Sequence, residues 1–360
     1  MTFGYFKILL FLLMKKTGML YLFMLVWCLC AVDKIAAQGM GYGAPPPDDF
    51  KVGEKEETIK RKELTLFGSR PSKENPADQL EYARSLEAAG KKRRAIRAYD
   101  ALVRKWHSTP QAVEAQFSIA KLLDGMGKYK AAFNEYQYLI QYFSSGFPYD
   151  EVMDCQYRIA NHIMTQRHWK FMCLPGFTSP EDSLPLWETI LKNAPSWEKA
   201  PQILYTIANI YEKNSKFEES LSAYTRLRNE YPSSEFILEA DYGRVKSLYE
   251  IARQRPRDEE ACRDALSALT MFIRDYPEYP GLKEIKEKQE EMRNKLEEMY
   301  YNRARFYEKG SHRNPKSAIF AYQEFIKRFP SSRYSIEAMK RIEVLEAEIK
   351  ENNERKNNKE

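Results

Sequence analysis

Histidine, cysteine and glycine are scarce in this 360-residue chain, and each scarcity removes a class of function. Four histidines occur (His107, His162, His168, His312), none beside a serine or cysteine in a nucleophile's setting, so acid–base and nucleophilic sites have few candidates. No C-x-x-C pair is present among the five cysteines. Cys28 and Cys30 lie in an N-terminal apolar run, which leaves Cys155, Cys173 and Cys262, an odd number that makes no disulfide framework. The one metal-like grouping, Cys155, His162, His168 and Cys173, has spacings of seven, six and five that fit no zinc finger. A Cys155–Cys173 disulfide stays open as an alternative in an oxidising compartment. Long β-branched runs are also missing, which with modest glycine and proline favours helix over sheet. No catalytic residue, cofactor or metal is assigned, and the chain is not expected to be an enzyme.

Two glycine clusters invite a nucleotide-binding reading and fail it. Gly39-x-Gly41-x-Gly43 sits in a proline-rich stretch with no strand before it or helix after it. Gly125-Met126-Gly127-Lys128 lacks the spacing and the Ser/Thr of a phosphate loop and fits a turn between two helices.

The first residues read as an export signal. Lys15 and Lys16 precede an apolar run from Gly18 to Val32 and the small residues Ala36 and Ala37, which predicts a signal peptide over 1–37 cut before Gln38. Met14-Lys15-Lys16-Thr17 is a normal signal start, so translation is expected to begin at Met14. A retained anchor helix is the alternative, although the run is short for a span. Cys28 is the candidate for lipidation, with Trp27 standing where a lipobox needs Gly, Ala or Ser. Removing 1–37 takes four lysines and one aspartate, so the formal charge falls from +6 to +3 and gives no case for nucleic acid.

Residues 38–75, with Pro45-Pro46-Pro47 and mixed charge, read as a flexible linker that tethers the folded part or lies along its first helices. From Pro76 the chain repeats. A small residue, an aromatic four later and an aliphatic three after that recur as Ala95/Tyr99/Leu102, Ala132/Tyr136/Leu139, Ser183/Trp187/Ile190, Ser220/Tyr224/Leu227, Ala265/Leu269/Phe272 and Ala318/Tyr322/Phe325. The central positions are 37, 51, 37, 45 and 53 residues apart, a tetratricopeptide unit lengthened by inserts. The expectation is an all-α, tetratricopeptide-type α-solenoid over 76–346: about six helical hairpins, helix A then helix B, and a C-terminal capping helix. A Pro/Gly-containing insert is expected at 172–185, a long A helix from about Leu282 to Lys309, and a disordered tail at 347–360.

A solenoid of this kind offers a groove. Counting along the A helices places Leu80, Arg84 and Glu87, then Phe117, Lys121 and Asp124, then Tyr205 and Asn209 on its inner face. Arg84, Phe117, Lys121, Tyr205 and Asn209 are the candidate peptide-binding residues, since basic groups beside an aromatic suit a peptide carboxylate and an aromatic side chain. An ordinary solvated face is the alternative.

The stretch Leu296-Glu-Glu-Met-Tyr-Tyr-Asn-Arg-Ala-Arg-Phe-Tyr-Glu-Lys, then Ala318-Ile-Phe-Ala-Tyr-Gln-Glu-Phe-Ile-Lys-Arg-Phe-Pro-Ser-Ser, resembles the outer-membrane protein assembly factor BamD family. The Tyr231-Pro-Ser-Ser and Phe329-Pro-Ser-Ser repeat ends are similar to that family's. The poor lipobox and the 172–185 insert depart from it. The resemblance covers about 76–346 and implies a non-enzymatic adaptor exported to the periplasmic face of the outer membrane. Its N-terminal units would receive C-terminal segments of unfolded outer-membrane proteins. Its C-terminal units would dock a periplasmic domain of the barrel insertase. A general periplasmic scaffold for cell-envelope or peptidoglycan machinery is the second reading.

Overall fold

The computed structural model describes residues 60–62, 70–166 and 179–357. Thirteen α-helices and two short 3-10 turns occupy them, with no strand among the described residues. Helices α1 (Pro76–Ala88) and α2 (Lys92–Lys105) make the first hairpin, α3 (Pro110–Asp124) and α4 (Tyr129–Tyr142) the second. The third is α5 (Tyr149–Thr165) with α6 (Leu184–Asn193), the fourth α7 (Ala200–Lys213) with α8 (Phe217–Glu230). The fifth pairs α9 (Ile237–Gln254) with α10 (Glu259–Asp275), and the sixth α11 (Leu282–Glu308) with α12 (Pro315–Arg328). Helix α13 (Ser335–Asn357) packs on α12 and closes the array.

Local chemistry sets these boundaries. Pro76, Pro110 and Pro315 sit in the first turn of their helices, where the missing N–H costs nothing. Asn75 caps α1 by accepting the Asp78 N–H at 2.8 Å, and Asp258 caps α10 by accepting the Ala261 N–H at 3.1 Å. The A–B turns of the first two units need a left-handed residue, and Gly90 and Gly127 (both φ +71°) supply it. In the fourth unit Ser215 holds that conformation (φ +58°), at a steric cost that glycine would not incur.

The six recurring triads are the core. All eighteen side chains are at most 3% exposed, with Tyr136 at 0% and Tyr224 and Trp187 at 1%. Fully burying each large member contributes about 1.5–3 kcal/mol, which no isolated hairpin could collect. Gln79 and Gln116, both fully buried, add polar stitches: their amides donate to the Ala98 and Glu135 carbonyls, each at 3.0 Å, tying helix A to its own helix B. Two apolar clusters, one over α1–α8 and one over α9–α13, meet at α9, whose Gly243 lies against the Tyr224 ring.

Two expectations need revision. Helix α13 runs to Asn357, well into the segment read as a disordered tail at 347–360. Neighbouring charges one turn apart extend it, as in the Glu351–Arg355 pair at 2.5 Å. The insert read at 172–185 ends sooner, because Pro180–Ser183 form a 3-10 turn leading into α6. Within 38–75, Lys62 lies against the first two units. The signal segment 1–37 with Cys28, the Gly39–Gly43 run, His168 and Cys173 lie outside the described residues.

Candidate functional site

The A helices stand side by side, and charged residues run across them from one unit to the next. Three or four residues before the end of four A helices stand Arg84, Lys121, Asn209 and Arg305, each followed three residues later by an acid: Glu87, Asp124, Glu212 and Glu308. Arg158, Lys246 and Arg341 stand on the next helices, 33 or 34 residues after Asp124, Glu212 and Glu308. Of these seven residues, all but Asn209 are basic.

Three of these four acids are held by their own hairpins. The Tyr99 hydroxyl donates to Glu87 at 2.7 Å, that of Tyr224 to Glu212 at 3.1 Å and that of Tyr322 to Glu308 at 2.6 Å. Burial, with the partner carboxylates of Glu87 and Glu212 for the first two, raises the pKa of Tyr99 and Tyr224. Tyr322 is pushed up to about 12, chiefly by burial and then by the Tyr301 ring's hydroxyl. These phenols are neutral donors throughout the physiological range. Each acid except Glu87 then takes a base from the next A helix: Asp124 pairs with Arg158, Glu212 with Lys246 at 2.5 Å and Glu308 with Arg341.

The sequence-predicted groove residues fall into two groups. Arg84 and Lys121 lie on adjacent A helices but are not unpaired cations: Arg84 Nε donates to Glu114 at 3.0 Å, and Lys121 Nζ to Glu151 at 3.1 Å. Both side chains stay more than half exposed, and so nearly do their acidic partners. Lys121 Nζ also sits 5.1 Å from the centre of the Phe117 ring, whose other side leans on Tyr136 at 6.2 Å. Of the further inner-face residues, Leu80 is buried in the core, and Glu87 and Asp124 are taken by Tyr99 and Arg158.

Tyr205 and Asn209, on α7, form the second group. Tyr205 stacks on Phe236 with ring centroids 5.3 Å apart, and the Tyr224 hydroxyl lies 3.0 Å from the Asn209 carbonyl oxygen. Helix α5 separates the two groups, and Lys199 Nζ beside it pairs with Asp154 at 2.7 Å while lying over Trp197 and Tyr157. Sequence reasoning missed Arg158, Lys246, Arg305 and Arg341. The 37-residue step from Lys121 to Arg158 and from Asn209 to Lys246 was the signal available.

At the other end the surface changes character. Phe306, Phe320, Ile336, Met339 and Val344, on α11–α13, are 47–69% exposed, whereas large apolar side chains elsewhere are mostly covered. No group of three or more His, Cys, Asp or Glu among the described residues is arranged to hold a metal, and His162 packs against the Tyr129 ring at 4.1 Å. No helix among the described residues is long and apolar enough to cross a membrane.

Repeated A/B hairpins with an interdigitated small–aromatic–aliphatic seam define a tetratricopeptide α-solenoid, a fold that works by protein–protein interaction. Residues 80–146 match the tetratricopeptide repeat family model. Residues 187–315 match the family model YfiO, the BamD family domain, described as outer membrane lipoprotein, so over those residues the chain is similar to BamD. Both are scaffold families without catalytic activity.

Among curated proteins no sequence matches the chain. Solved structures with similar folds include a tetratricopeptide protein from Parabacteroides merdae, 11% identical, covering 75% of this chain and 98% of that one with a TM-score of 0.25. The C-terminal part of a repeat protein from Cytophaga hutchinsonii is 14% identical over 74% of this chain and 88% of that one, TM-score 0.28. YrrB, a repeat protein with an unusual peptide-binding site, is 15% identical over 60% and 94%, TM-score 0.27. Scores of this size do not inform the arrangement of the repeats.

Proposed function

We propose that this protein is a BamD-type adaptor on the periplasmic face of the outer membrane, taking part in assembly and insertion of outer-membrane β-barrel proteins. The observation that carries the reading is the outer membrane lipoprotein family match over 187–315, which runs from α6 to the start of α12. The apolar side chains exposed on α11–α13 support a docking role for the C-terminal units toward a periplasmic domain of the barrel insertase. The exposed cations Arg84 and Lys121 beside Phe117, with Tyr205 and Asn209 further along, support capture of an extended client segment ending in an aromatic residue and a carboxylate. Membrane attachment comes through these partners, with Cys28 as the candidate lipid site.

Crosslinking and mass spectrometry on intact envelopes tests the proposal. Crosslinks from α11–α13 to the insertase and from α1–α3 to C-terminal segments of barrel proteins are the expected result. Crosslinks to peptidoglycan enzymes alone would overturn it in favour of a general envelope scaffold. That second reading has one observation of its own: the N-terminal units match the general repeat model over 80–146.

A further inference from the structure

Just ahead of the solenoid, Lys62 of the linker lies against the first two units. Lys62 enters a polar pocket between α2, α3 and α4. Its Nζ donates to Glu135 Oε2 at 2.6 Å and to Gln116 Oε1 at 3.0 Å, and lies 3.4 Å from Asp100 Oδ1. The Tyr138 ring closes one side, 5.1 Å from the ammonium. The Tyr138 hydroxyl accepts the Lys62 backbone N–H at 3.0 Å and touches His107 Nε2 at 3.0 Å. The lysine side chain is 13% exposed, and Gln116 is fully buried.

The pocket thus meets a lysine with two carboxylates, an amide oxygen and an aromatic face, and meets its backbone with a hydroxyl. This is specific recognition: an ammonium offers three donors, and three acceptors stand around it. A second anchor lies downstream. Gln79, the equivalent of Gln116 one unit earlier, accepts the backbone N–H groups of Ser72 and Lys73 at 2.9 and 3.0 Å. Two equivalent buried glutamines on successive A helices therefore hold the pre-helical chain at two points.

We propose that α2–α4 carry a recognition site for a lysine on an extended peptide, and that Lys62 of the chain's own linker is its resident occupant, strapping the linker to the first two units. Lys62 is separated from Pro76 by a short stretch, so its effective concentration at the pocket is on the order of millimolar. A free peptide of the same chemistry must compete with that, and binds the wild-type protein only in that range.

The test uses the full mature chain and a fluorescein-labelled peptide with the sequence of residues 56–68, read by anisotropy. Lys62→Ala empties the pocket, and that variant should bind the peptide at least ~10-fold more tightly than wild type. Adding Glu135→Gln, which keeps size and removes charge, should return affinity to the wild-type level or weaker. In a second measurement, trypsin should cut after Lys62 at least ~10-fold faster in Glu135→Gln than in wild type, with cleavage after Lys51 and Lys55 as the internal reference. Equal peptide affinity in wild type and Lys62→Ala, or equal Lys62 cleavage in wild type and Glu135→Gln, overturns the proposal. Circular dichroism on every variant separates loss of the pocket from loss of the fold.

Discussion

Tyr136 and Tyr224 occupy the same position in their units, on α4 and α8, and both are inaccessible to solvent, yet their hydroxyls differ. That of Tyr224 lies 3.0 Å from Asn209 Oδ1 and 3.1 Å from Glu212 Oε2. That of Tyr136 makes no hydrogen bond, and the polar group beside it is the Cys155 thiol, a weak partner. Replacing each with phenylalanine keeps the ring and removes only the oxygen. Tyr224→Phe deletes a hydrogen bond to a charged acceptor, about 1.5–3 kcal/mol in general. The loss is set at about 1–2 kcal/mol here, because Glu212 retains Lys246 at 2.5 Å. Tyr136→Phe deletes a buried oxygen that never regained the hydrogen bonds it gave up to water, so the change should lie between about zero and 1 kcal/mol of stabilisation. The two variants should differ by about 1–3 kcal/mol with opposite tendencies. Urea unfolding followed by circular dichroism measures this, with amide exchange in α3–α4 and α7–α8 localising it, since a repeat array need not unfold in one step. Equal losses, or a larger loss for Tyr136→Phe, would refute the assignment of the two hydroxyls.

Gly243→Ala should destabilise α9 by about 1–3 kcal/mol, although alanine gains up to about 1 kcal/mol in helix propensity, because the added methyl would overlap the buried Tyr224 ring. A more stable Gly243→Ala protein in thermal melts would contradict that packing. Burial, then Arg61 and Lys62, hold the His107 pKa below its ordinary value, so the folded protein binds this proton less readily than the unfolded chain does. Its contribution is intact above pH ~6.5 and is lost as pH falls through that value, and His107→Gln should flatten the pH 5–7 stability profile. The double charge reversal Arg84→Glu with Lys121→Glu should weaken an aromatic-ended peptide's binding by about 10- to 100-fold at low salt. Helicity should be retained, since exposed pairs contribute less than about 1 kcal/mol each; unchanged affinity would remove these residues from the groove.

How much of this was readable in the sequence depended on the range of the contact. Each small–aromatic–aliphatic triad lies within about two turns of one helix, so Tyr99, Trp187 and Phe325 could be placed in the core from spacing alone. The long helix expected from Leu282 to Lys309 is observed at Leu282–Glu308 for the same reason. Salt bridges between A helices were not readable, because the offset between units decides whether Lys121 meets Glu87 behind it or Glu151 ahead of it, and it meets Glu151. Lys62 lies in a stretch without periodicity, where nothing distinguishes it from Lys60. Ser215 hid a left-handed turn that Gly90 and Gly127 announced.

The cations of this set differ in how exposed their acidic partners are. Glu308 and Glu212 are 5% and 14% exposed, each also accepts a tyrosine hydroxyl, and removing Arg341 or Lys246 would leave a buried carboxylate short of a partner. Those cations are fixed parts of the unit-to-unit joint. Glu114 and Glu151, opposite Arg84 and Lys121, are 45% and 48% exposed and make no such second bond to a tyrosine. When Arg84 or Lys121 leaves such a partner, water solvates the abandoned carboxylate and the cost is about 1 kcal/mol or less. An incoming peptide carboxylate held between them recovers about 1.5–3 kcal/mol per charge-assisted bond. Basic residues that pair across successive A helices are therefore structural in the C-terminal units and exchangeable in the first two, where the proposed client site lies.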